Sequence, residues 1–354
     1  MLRFPTRRSA RITAAALGGA LAATLALPVA ADAQLRDYRE NGELAYTEKA
    51  GSARESYLVW PDGTHGRKAD DVNVFGKGIV GGWSEDGEVL FVTDADVWNQ
   101  HRLLQPGSTT GHAWSGDAYD DGHSEIGRLG QGAFGQNGSM VWGSTNGLRR
   151  QWGPSPTEFL TKKEAHDPSF ANTDRLVWVS PTEGVMRLDD ASDVAAPATP
   201  DVLVPGTGFQ HASISRDGTR VAYAEHDGTS WNIRVVAADG SVPPANLEAG
   251  TDGSDETLAT MSPDGTKVAF ASDRSGKPAI WIAPVDGSAP AKMVPNTERA
   301  GTATFEGLSW QPGSMPTHNP TTLVAYDGLR VGKTIRPNYG GQPEGTPGAD
   351  ISYE

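Results

Sequence analysis

The sequence predicts an all-β chain, on three observations. A turn motif with a physical mechanism recurs along it, short apolar strands flank that motif, and the unit they form repeats at a near-constant interval. Residues 261–287, MSPDGTKVAFASDRSGKPAIWIAPVDG, show one unit whole. Pro263 presets the first turn dihedral, Asp264 bonds its own backbone and Gly265 accepts positive φ, so the flanking segments are joined tightly and run antiparallel. Residues 267–271 alternate around Val268 and Phe270, a second turn cluster follows at 273–276, and 279–285 form an apolar strand closed by Asp286 and Gly287.

Each unit carries a large apolar anchor two places before the residue that precedes Asp-Gly or its equivalent. The anchors are Trp83, Phe134, Phe170, Ile214, Met261 and Trp310, spaced by 51, 36, 44, 47 and 49 residues. That is roughly the period of a four-stranded propeller blade. The residue before each anchor is small: Gly82, Ala133, Ser169, Ser213, Thr260 and Ser309. Small side chains suit an innermost strand, where the strands crowd a central axis. Second strands are expected at 44–46, 89–92, 140–143, 176–179, 221–224 and 268–271, and third strands at 57–60, 97–103, 148–152, 185–188, 233–237 and 280–283. The expected architecture is therefore a six-bladed β-propeller of four-stranded antiparallel blades over residues 34–312. The first copy is complete only from its second strand, whereas the last, GLSWQPG, supplies a first strand. Pairing the two terminal strands makes a composite blade and removes both sheet edges. Seven blades are the alternative, with Tyr38 as a further anchor and residues 323–327 as a further second strand.

SRDGTRVAYAEHDGTSWNIRVVAADG and SPDGTKVAFASDRSGKPAIWIAPVDG resemble the repeat of TolB-like propellers, in which a W-S-P-D-G turn precedes an I-A-F strand and then an I-Y-V strand ending in D-G. The resemblance spans about residues 40–311. The units at Phe134 and Phe170 depart from it by lacking the Ser-Pro-Asp-Gly core. The family implies a ring that serves as a binding platform. TolB also has an α/β domain before its ring, and the sequence shows nothing between residue 33 and the first blade, so its role in an envelope complex does not carry over.

Residues 1–33 read as a cleaved export signal: Arg3, Arg7, Arg8 and Arg11, an Ala/Leu-rich run over 12–27, then Ala31-Asp32-Ala33. The Arg7-Arg8 pair leaves both the twin-arginine and the ordinary secretory route open, and the expected location is secreted or periplasmic. A membrane anchor is the alternative, opposed by the short apolar run. The chain has no cysteine, which removes a lipoprotein anchor, a disulfide framework and a thiolate metal site. Without residues 1–33 the formal net charge moves from −14 to −17. Such a chain repels nucleic acid and anionic membrane, and is expected to be a monomer in solution. Residues 313–354 form a Pro/Gly-rich tail, with 323–327 and 329–335 as a potential docked hairpin.

Of the 10 tryptophans, Trp60, Trp83, Trp142, Trp178, Trp231, Trp281 and Trp310 fall on or beside expected strands and read as packing residues, with sugar stacking as the sharper alternative. Function in a ring concentrates where the inner strands begin around the channel mouth. Those positions hold Lys77, Arg128, His166, Asp167, Gln210, His211, Asp255, Glu256 and Glu306, a set suited to a protein or peptide partner in the envelope or outside the cell. No catalytic residue is assigned. The hydrolase elbow G-x-S-x-G is absent, and in Ser215-Arg216-Asp217-Gly218 the Gly comes one place too early for a sialidase box. A metal-assisted lyase or hydrolase for an extracellular polymer is the rival reading, with His166 and His211 as the first ligands to test. No cofactor is required. The acidic insertion over 105–130, with Asp117, Asp120 and Asp121, reads first as a solvated loop and only loosely as a Ca²⁺ site, because the order of its acids departs from the Ca²⁺-loop pattern.

Overall fold

The computed structural model describes residues 41–69, 78–84, 87, 90–94, 101–104, 131–135, 139–152, 158–191, 199–247, 253–300 and 303–313. The export signal, the acidic insertion, Tyr38 and the tail beyond Gly313 lie outside them.

Strands β1 (Asn41–Ala50), β2 (Ala53–Val59) and β3 (Arg67–Lys68) form one sheet with β23 (Thr304–Pro312), in the order β23-β1-β2-β3. The expected composite blade is thus present: β1 and β23 pair antiparallel, with Leu44 opposite Trp310 and Tyr46 opposite Leu308. The second sheet holds β4 (Gly78–Trp83), β5 (Leu90–Asp94) and β6 (His101–Leu104), three strands among the described residues. Four four-stranded sheets complete the ring. They are β7 (Ala133–Phe134) to β10 (Glu158–Thr161), with β8 (Ser139–Ser144) and β9 (Gly147–Trp152); β11 (His166–Phe170) to β14 (Asp201–Pro205), with β12 (Leu176–Ser180) and β13 (Gly184–Leu188); β15 (Phe209–Ile214) to β18 (Ala245–Asn246), with β16 (Arg220–His226) and β17 (Trp231–Ala237); and β19 (Glu256–Met261) to β22 (Lys292–Met293), with β20 (Lys267–Ser272) and β21 (Ala279–Pro284). Five sheets therefore have four strands and one has three. Inner strands β23, β4, β7, β11, β15 and β19 each neighbour the next, and β19 returns to β23.

All six anchors lie on inner strands, and the expected second strands coincide with β1, β5, β8, β12, β16 and β20. One third strand is displaced from expectation: β2 occupies Ala53–Val59 rather than 57–60, because its pairing with β1 runs out to Ala50 opposite Ala53. β6 covers His101–Leu104, and residues 97–100 of the expected third strand lie outside the described residues.

The apolar runs are explained by the packing. β12, β16 and β20 are flanked on both faces by other blades, so Val221-Ala222-Tyr223-Ala224 and Val268-Ala269-Phe270-Ala271 are buried without alternation. Each core cluster is drawn from two neighbouring blades: Val177, Val179 and Val185 pack with Ile214, Val221 and Tyr223, and Leu258 and Ile280 with Leu44, Tyr46 and Trp310. Trp83, Trp178 and Trp310 are buried, and Trp231 and Trp281 pack against the layer around Phe270, as packing tryptophans should.

The Asp-Gly turns act as expected. Gly265 N donates to Ser262 O at 2.8 Å and Gly218 N to Ser215 O at 2.9 Å, with the glycines at φ 69° and 73°. In each, the buried serine Oγ donates to the turn aspartate and accepts the amide of Lys267 or Arg220, which locks the hairpin. The turns also stitch blade to blade. Arg175 Nη1 donates to Gly218 O (2.6 Å), Gln311 Nε2 to Gly87 O (2.7 Å) and Asp264 N to Asn41 Oδ1 (3.2 Å).

Candidate functional site

The inner strands enclose a central cavity of about 130 Å³, lined by residues of all six. Side chains reach it in levels that follow from strand register. All six anchors and all six small residues before them line it. At the small level Ser169 Oγ accepts Ile214 N (3.2 Å) and Ser213 Oγ accepts Met261 N (3.0 Å), so these serines join each blade to the next. Crowding alone accounts for Gly82, where an added Cβ would lie 3.2 Å from Ala133 Cα.

Three positions before the anchors the polar character rises. The ring there reads Val80, Gln131, Asp167, His211, Leu258 and Gly307. A β-bulge falls at this position in β11, β15 and β19, and Asp167, His211 and Leu258 take left-handed φ of 47°, 55° and 58°. Asp and His tolerate that conformation better than most residues. Since Leu258 shares it, the bulge belongs to the repeat and not to any one site.

Asp167 is buried. Its Oδ1 accepts Gln131 N at 2.9 Å, its Oδ2 accepts His211 N at 2.9 Å, and His211 Nδ1 lies 3.4 Å from the same Oδ2. Burial pushes the carboxyl up, but the His211 imidazole and the two backbone N–H groups outweigh it and hold the group down at about 2. The Gln131 amide, in the orientation that satisfies both its ends, donates to Leu308 O and accepts Leu308 N, each at 3.1 Å. A polar belt therefore runs from the first blade through Gln131 and Asp167 to His211 on the fifth.

Among the residues expected at the mouth, the structure brings Asp167 and His211 into the cavity lining together. His166, one residue earlier, sets its Nε2 3.0 Å from Glu164 Oε1, and Gln210 is half-buried at the start of β15. Asp255 accepts Trp231 N (3.1 Å). Glu256 is buried between blades, where it accepts Ile233 N (3.1 Å) and pairs with Arg274, whose guanidinium lies over Phe270 and Trp281. Glu306 pairs with Lys49 (2.7 Å) and Arg54; burial raises its carboxyl and the two cations more than reverse that. Lys77, Arg128, Asp117, Asp120 and Asp121 fall outside the described residues. Among the described residues no three His, Asp or Glu side chains are grouped to hold a metal ion.

Gln131 is the lining residue that the sequence reading passed over. It sits at the same register as Asp167 and His211, and the weak repeat around Phe134 hid it. Counting three back from every anchor finds it; which side chains at that register enter the lining, as Leu258 does not, is not visible in the residues.

Ring, repeat and channel together define a β-propeller whose fold is shared with TolB proteins. The chain is similar to the crystal structure of TolB from Acinetobacter baumannii, with a TM-score of 0.58 at 14% identity over 80% of this chain and 71% of that one. It is also similar to a protein assigned as TolB from Agrobacterium tumefaciens, with a TM-score of 0.53 at 12% identity over 77% of this chain and 100% of that one. At these identities the likeness is one of fold. No known protein family and no curated protein matches the sequence. Among the described residues no helix is long and apolar enough to cross a membrane.

Proposed function

We propose that this protein is an exported binding module that docks a protein or peptide partner on the face of the ring where the inner strands begin. The observation that carries the reading is convergence: six inner strands open on one cavity, and the polar belt of Gln131, Asp167 and His211 lies at the register nearest that face. The opposite face is occupied by turns whose aspartates are spent on their own backbones, as in Asp239 with Ser241 N and Asp286 with Ser288 N. Support also comes from the fold shared with TolB and from the arginine-led, Ala/Leu-rich residues 1–33, which fit delivery across the inner membrane. Fold alone names no ligand, so the partner is defined by the face it occupies.

The test is cross-linking of the full chain in the envelope fraction, with one bulky charge placed on each face. Gln210→Arg at the mouth should abolish the cross-linked species, and Ser288→Arg on the turn face should leave it. A species retained by the first variant and lost by the second would refute the assignment of the face.

A further inference from the structure

At the polar level of the channel one side-chain atom is held ready and unused. His211 Nδ1 faces Asp167 Oδ2 at 3.4 Å and is buried, whereas Nε2 is not among the buried atoms and accepts no hydrogen bond from any described residue. The Asp167 carboxylate is already committed. It is buried, and both of its oxygens are engaged by the N–H groups of Gln131 and His211. What it can do is act through the ring: a carboxylate beside Nδ1 favours the tautomer with the proton on Nδ1, which leaves a lone pair on Nε2 to accept a hydrogen bond.

A group bound there must therefore donate a hydrogen bond. It also gains if it is positive, because the nearest formal charge is the Asp167 carboxylate. The other charged side chain of the described lining, Arg216, is five residues further along β15 and beyond its end, toward the turn face. Five residues of extended strand span about 16 Å, so the Asp167 carboxylate, whose Oδ2 lies 3.4 Å from His211 Nδ1, is the formal charge at this level. The space, about 130 Å³, admits a few heavy atoms rather than a folded segment.

We propose that His211 Nε2, backed by Asp167, is the acceptor of a subsite for a primary ammonium, and that the docked partner supplies it as a lysine side chain or a chain terminus. This deepens the binding-module reading and rests on it.

The experiment uses the full chain at pH 8, where free imidazoles are neutral. Binding is followed by calorimetry with propylammonium, tetramethylammonium and propionate, and by ¹⁵N NMR of the histidine ring nitrogens. The expected result is one saturable site for propylammonium, a shift of the His211 Nε2 resonance on binding, and at least a 10-fold loss of affinity in His211→Asn, a replacement that also tolerates left-handed φ. Tetramethylammonium, with equal charge and no N–H, should bind at least 10-fold more weakly. Preference for propionate, parity between the two cations, or an unmoved Nε2 resonance would overturn the proposal, and the NMR arm needs no variant to fold. If His211→Asn still cross-links its partner at the mouth while propylammonium fails to bind the wild-type chain, the subsite falls and the docking reading stands. If propylammonium binds as expected and no mouth-dependent species forms, the docking reading falls and the subsite stands.

Discussion

Replacing Asp167 by Asn tests whether one buried carboxylate holds the third, fourth and fifth blades in register. Asn keeps the size of the side chain and tolerates the left-handed φ of 47°, so backbone strain does not confound the result. It cannot keep both acceptors. One of the two N–H groups now 2.9 Å from a carboxylate oxygen, that of Gln131 or that of His211, would face an amide NH₂. A charge-assisted bond contributes about 1.5–3 kcal/mol, and a buried N–H left without a partner costs about 1–3 kcal/mol, so the loss should be about 2.5–6 kcal/mol at neutral pH. Proton linkage gives an independent figure. The carboxyl lies at about 2 in the folded chain against 3.8 ordinarily, a difference worth about 2 kcal/mol. Because the folded value is the lower one, this stabilisation is complete above the ordinary value and is lost as pH falls through about 2. Urea unfolding followed by tryptophan fluorescence should therefore show the variant weaker by at least about 2 kcal/mol at pH 7, with the gap closing between pH 4 and pH 2. Equal midpoints and slopes at pH 7, or a gap that does not narrow in acid, would refute the account of Asp167 as an ionised inter-blade clasp.

Thr47 is buried, with its hydroxyl donating to Gly78 O (3.1 Å) and accepting Val80 N (2.9 Å) across the first two blades. Thr47→Val should lower stability by about 2 kcal/mol in the same urea assay. Gly143 has no room for a side chain, since an added Cβ would lie 2.0 Å from Ala165 O; Gly143→Ala should cost at least about 2 kcal/mol, and a melting temperature equal to wild type would show that the two blades are not in contact there. Tyr223 presents the opposite case: its hydroxyl is buried without a partner among the described residues, and burial raises its pKa. Tyr223→Phe keeps the edge contact with Phe209 (5.4 Å) and should be neutral or stabilising by up to about 1 kcal/mol, measured by thermal melting.

Much of the ring was legible from the residues because the signals that build it are local. A Pro-Asp-Gly or Arg-Asp-Gly turn acts within four residues, and an apolar second strand is apolar wherever it stands, since both of its faces will be covered. Recurrence of these signals at about the length of a blade was enough to place every inner and second strand, and the incomplete first and last copies pointed to the composite blade that β1 and β23 form. The boundary that slipped, at β2, is one where pairing rather than side-chain type sets the end of the strand.

The site was legible only in part, for a reason that lies in register. Residues four to six places before an anchor look as polar as those three places before it, and counting along the chain cannot separate them. Packing does so in three dimensions: Asp167 and His211 enter the lining of the channel, Leu258 with the same bulge does not, and Glu256 and Glu306 are drawn into ion pairs with Arg274 and with Lys49 and Arg54. Sequence alone determined the repeat and the inner and second strands, because their turn and apolar signals act within a few residues, and the incomplete end copies pointed to the β1–β23 pairing that closes the ring. Which polar side chains face the channel was decided only by the tertiary structure, because partners such as Gln131, Asp167 and His211 are each more than 30 residues apart and meet only once the blades are packed.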